Sequence, residues 1–98
     1  MRGELLEQTG VVKQHDRFKV VKKVGEVGTK IPKHNHPDEL ILFTVVKGKV
    51  EVLLDECETY LVEPGKVLHF DGNHFIQAEF IEAGEVFVTL IQKAGGTE

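Results

Sequence analysis

Two histidines, His34 and His36, stand between Pro32 and Pro37, just ahead of a long apolar run. On an extended chain, residues two apart project from one face, so both imidazoles can reach a common atom. A third histidine, His74, follows Gly72-Asn73 further along. A lone histidine in a β protein is more often a surface or satisfied core residue than a ligand. Two at strand spacing, with a third after a glycine turn, point instead to one divalent transition metal; a metal-free pocket is the alternative. Neutral imidazoles suit zinc, iron, copper or nickel, and an added carboxylate brings iron or manganese into range.

The rest of the chain must position those rings. Its 98 residues fit one domain with a modest core. At 41% apolar and 29% charged, the composition is that of an ordinary globular protein. No apolar stretch is long enough to span a bilayer, and Glu4 and Glu7 interrupt the start of the chain where a signal peptide would be apolar. The expectation is a cytoplasmic protein with no membrane partner. With a net charge of -4 and Lys22-Lys23 as the densest basic cluster, nucleic acid is not an expected partner either. Cys57 is the single cysteine, so no intrachain disulfide or CxxC site can form. Set among Asp55, Glu56 and Glu58, it reads as a spare thiol in a turn rather than a nucleophile.

The chain reads as strands and turns almost throughout. Strands are expected over 17–24, 39–46, 49–54, 59–62, 66–70, 74–81 and 86–92, with residues 1–24 packing on the barrel or on a partner copy and 93–98 as a frayed tail. Chain reversals are expected at Lys47-Gly48-Lys49, Asp55–Glu58, Glu63-Pro64-Gly65, Asp71-Gly72-Asn73 and Glu82–Glu85. Turn signals every 8–12 residues or so indicate an all-β antiparallel sandwich or barrel. Most strand aromatics, including Phe43, Phe75, Phe80 and Phe87, are expected to pack in the core.

These residues resemble the cupin superfamily. Gly28, then His34-x-His36, with Gly48 downstream, is similar to its first motif; Glu63-Pro64-Gly65-Lys66-Val67 followed by His74 is similar to its second. The resemblance runs from Gly25 to Gln92. It implies an RmlC-like jelly-roll β-barrel of about six to eight strands. It also implies a metal near the barrel mouth held by three histidines and a glutamate: here His34, His36, His74 and Glu39.

The chain departs from the family pattern at two places. Glu39 arrives early, and Leu40 and Ile41 occupy the positions where the glutamate is expected. On a straight strand Glu39 would face away from the histidines, unless Pro37-Asp38 supplies a bend that re-aims it. His74 also arrives two residues early, with Asp71 in place of a proline and Ala78 in place of an asparagine; a two-residue shortening keeps side-chain parity. His69 is expected to be structural or to support the ligands. A loop at Asp71-Gly72 would set it opposite His74 at about 5 Å, whereas a loop at Gly72-Asn73 would pair it with Ile76. His15 has no companion and reads as exposed.

Two functions follow from the resemblance. One is a metal-dependent enzyme acting on a small organic substrate, of the dioxygenase, isomerase or decarboxylase kind, with no catalytic acid or base assignable. The other is a non-catalytic barrel that binds or senses a small ligand. Because ELILFTVV and VFVTLIQ are apolar on both faces, a homodimer is expected to cover one side.

Overall fold

A computed structural model describes residues 2–94. It contains seven strands: β1 (Gly10–Gln14), β2 (Phe18–Gly25), β3 (Lys30–His34), β4 (Glu39–Leu54), β5 (Glu58–Val62), β6 (Val67–Asp71) and β7 (Ile76–Gln92). All pairings are antiparallel. Among the described residues no helix is long and apolar enough to cross a membrane.

Two long strands, β4 and β7, run side by side through the whole molecule, with Glu39 paired to Gln92 at one end and Leu54 to Ile76 at the other. The first half of β4 also pairs with β6, and the second half of β7 with β2, which carries β1 at its edge. At the other end the second half of β4 pairs with β5 and the first half of β7 with β3. The ribbon thus belongs to two sheets, and its inward residues face each other across one core. Ile41, Phe43, Val45, Val86 and Leu90 come from one sheet and Val50, Val52, Ile76 and Phe80 from the other, all buried. The alternation expected of half-buried antiparallel strands produces this.

The reversals expected at Lys47-Gly48-Lys49 and Glu82–Glu85 are not there. Both segments stay within continuous strands and bend together, with the ladder slipping between Val45 and Val50. Bulges of this kind turn a strand from one sheet into the next. Gly48 takes a φ of 81°, and a Cβ on Gly84 would collide with the Lys47 carbonyl, so the ribbon can cross this corner only where side chains are missing. Residues that read as a turn are a hinge between sheets.

Strands β1 and β3 were not among the expected strands. Within β3, Pro32 falls where the pairing with β7 is interrupted between Ile31 and His34, and an edge position tolerates its missing N–H. β1 pairs with β2 at the edge of the sheet, and the last four residues of the predicted tail lie outside the described residues.

Candidate functional site

His34 ends β3, and His36 lies in the segment that leads into β4. Their rings meet edge to face with centroids 4.8 Å apart, so the i, i+2 spacing does bring them together. The His34 Nδ1–H donates to the Pro32 carbonyl at 2.7 Å; since a carbonyl can only accept, Nε2 carries the free lone pair. The His36 pKa is lowered below 6.5, first by burial and then by His34, with Lys19 and Lys23 adding to the effect and Glu39 opposing it. At neutral pH His36 is therefore an uncharged ring, an acceptor or donor rather than a cation.

Glu39 reaches this pair through the turn at Pro37-Asp38. The Glu39 N–H donates to the His36 carbonyl at 3.1 Å, and β4 then starts with Glu39 in phase with the inward-facing Ile41 and Phe43. Its carboxylate lies 3.7 Å from the His36 Nδ1. The bend overrides the parity of a straight strand. Gly72 holds the turn from the other side: its N–H donates to the Glu39 carbonyl and its carbonyl accepts the His36 N–H, both at 2.8 Å.

His74 does not join them. The turn closes with the His74 N–H on the Asp71 carbonyl, so the loop is Gly72-Asn73. From there the His74 ring turns to the β4–β5 hairpin and donates Nδ1–H to Asp55 at 2.6 Å. The other Asp55 oxygen accepts the Phe75 N–H at 2.8 Å. His69 is paired with Leu42 on β4 rather than with His74 or Ile76, and its Nδ1–H donates to the Ile41 carbonyl at 3.1 Å. Among the described residues, no three of His, Cys, Asp and Glu gather closely enough to hold one metal ion. His34 has the tautomer of a good ligand and His36 the lowered pKa of one, but the donors present do not form a three-histidine, one-glutamate centre.

What the histidine pair does border is a cavity of about 150 Å³ between the sheets. Its walls include Ile41, Phe43, Phe70, Ile76, Val88 and Leu90, while His34, His36, Lys19 and Lys23 supply the polar groups. The lysines were missed by the sequence reading. The signal was available in the alternation Lys19, Val21, Lys23, which puts all three on one face of β2. A larger depression on the outer side of β3, bordered by Lys30, Lys33, Glu51 and Glu79, is shallow and carries mixed charge.

Asp55 and Asp71 both titrate below the ordinary value of 3.8, Asp55 through the Phe75 N–H and then His74, Asp71 through Lys93 and then the Asn73 N–H. Carboxyls depressed in the folded state add stability that is complete above their unfolded pKa and lost as pH falls through the folded one. Urea midpoints should therefore fall as the pH drops below about 4. The fall is expected to be shallower in an Asp55→Asn/Asp71→Asn variant; an identical acid profile would contradict this.

Residues 24–77, more than half of the chain, match the model of the family described as "Cupin domain". Solved structures of similar fold include an RmlC-like cupin family protein with a double-stranded β-helix fold from Methanocaldococcus jannaschii, at TM-score 0.80 and 17% identity over 94% of this chain and 93% of that one. An RmlC-like cupin protein from Desulfovibrio desulfuricans follows at TM-score 0.78 and 19% identity, covering 93% and 91%. KdgF from Halomonas gives 0.74 and 20%, covering 86% and 76%. No curated protein is similar enough to count as a match. At these identities the structures attest the jelly-roll fold alone, while the family match extends over both histidines and the cavity's β3 and β4 walls: the chain belongs to the cupin family.

Proposed function

We propose that this protein binds a small organic molecule inside the barrel, with His34 and His36 as its polar anchors. The observation that carries this reading is the cavity itself: mostly apolar walls with a few convergent polar groups are what ligand sites look like. A space of about 150 Å³ suits a body the size of a benzene ring. The His34 Nε2 and the uncharged His36 ring can each exchange a hydrogen bond with such a ligand.

Benzamide, a neutral probe of that size, tests the reading by calorimetric titration. It is expected to bind the wild type and to lose binding in Val88→Phe, whose added ring fills the space. Absence of heat with the wild type, or equal binding to both, overturns the proposal.

A second reading, a metal-dependent enzyme on a small substrate, is favoured by one observation. The Pro32 carbonyl fixes His34 with Nε2 free, as outer partners do for metal-binding histidines. Elemental analysis of untagged protein separates the two. Near-stoichiometric metal that disappears in His34→Ala would support the second reading.

The outer face of the larger sheet supports a homodimer. Leu40, Leu42, Phe87 and Ile91 lie out of phase with the buried residues of β4 and β7, are only half-buried, and sit beside Phe18 and Val20 of β2. Placing a charge there should be decisive. Light scattering at micromolar concentration is expected to give a dimer for the wild type and a monomer for Leu42→Lys. A monomeric wild type contradicts the assignment.

A further inference from the structure

We propose that the molecule taken up by this cavity is a small carboxylic acid, its apolar body between the sheets and its carboxylate held by Lys19 and Lys23. The inference rests on the reading of the cavity as a ligand site and adds the charge of its occupant.

The two lysines project from β2 on the face of Val21, which pairs with the cavity residue Val88. Among the described residues Lys13, Lys22, Lys33, Lys49, Lys66 and Lys93 each have a carboxylate within 4 Å, whereas Lys19, Lys23, Lys30 and Lys47 have none; of these four only Lys19 and Lys23 line the cavity. Lys19 is half-buried and Lys23 exposed, so their stems can lie along the apolar wall while the ammonium groups stay at its rim. The two residues lie at opposite ends of a five-residue stretch, yet both bear on the His36 ring and help to lower its pKa. Both also line the same cavity as that ring.

No carboxylate lines the cavity; that of Glu39 lies 3.7 Å from the His36 Nδ1 but is not part of the wall. Set against two lysines, it leaves an excess of positive charge. Mostly apolar walls favour a hydrocarbon body, and the ammonium groups favour an anionic head. His34 Nε2, a free lone pair, is poorly disposed toward a carboxylate oxygen, so it faces a hydroxyl or the ring edge of the ligand. The carboxylate falls to the lysines.

Benzoate and benzamide have nearly the same shape and differ in charge, which makes them the probes. Benzoate is expected to bind about tenfold or more tightly than benzamide, the preference weakening as salt rises. In Lys19→Met/Lys23→Met, which keeps unbranched side chains of similar reach, the preference should vanish while benzamide affinity stays. Lys22→Met, on the opposite face of the same strand, should retain it. Benzamide binding as tightly as benzoate overturns the charge assignment and leaves the cavity reading standing; so does a preference that survives the double substitution. Failure of both probes on the wild type removes both.

Discussion

Gly72→Ala is expected to lower stability by about 3 kcal/mol or more, the upper end of what overpacking a tight site costs. A Cβ at this position would run into the carbonyl oxygens of His36 and Glu39, and neither can yield. Both belong to the backbone, and the carbonyl of Glu39 already accepts the Gly72 N–H. The substitution therefore forces apart the segment that sets His36 and Glu39 beside the cavity. For a domain of this size the melting temperature should drop by roughly 10 °C or more. Benzamide binding should weaken as well, even at temperatures where the variant is folded. A melting temperature within a degree or two of the wild type would mean that Gly72 does not clamp the turn.

Phe43→Ala should be comparably costly, at about 3–5 kcal/mol. Phe43 is 1% exposed, and it forms both part of the core and a wall of the cavity. Truncation removes apolar area and joins the vacated volume to a space already present, so collapse around the gap recovers little. Chemical denaturation should give a lower urea midpoint with the slope unchanged. Phe75→Ala provides the contrast: its ring is 43% exposed, and the loss should stay near the small values of surface substitutions. Equal losses at the two positions would contradict the assignment of Phe43 to the core.

The expected strands and the histidine pair rest on local information, and that is why they were readable. Alternation in KVEVLL and the β-branched apolar run VFVTLIQ need no partner to be seen, and two histidines at i, i+2 share a face wherever the strand lies. Glu39 was a harder case, because its direction depends on a turn that Gly72 stabilises from a distant segment. The direction of His74 is set by Asp55, nineteen positions away, and nothing local announces that bond. Gly48 and Gly84 look like hairpin glycines until β4 and β7 are known to bend together. RFKVVKKV has the look of a solvated basic strand. Its alternation groups Lys19, Val21 and Lys23 on one face, and the pairing of Val21 with Val88 on β7 identifies that face as the one bordering the cavity.

The central claim is that ligand enters between the sheets at His34 and His36. The five histidines make it directly measurable, since His15, His69 and His74 do not line the cavity. Imidazole ¹H–¹⁵N spectra of specifically labelled protein, recorded during a titration with benzoate, should show the His34 and His36 signals moving to saturation while the other three stay in place. Movement confined to His15, His69 or His74, with the pair unaffected, would contradict the account.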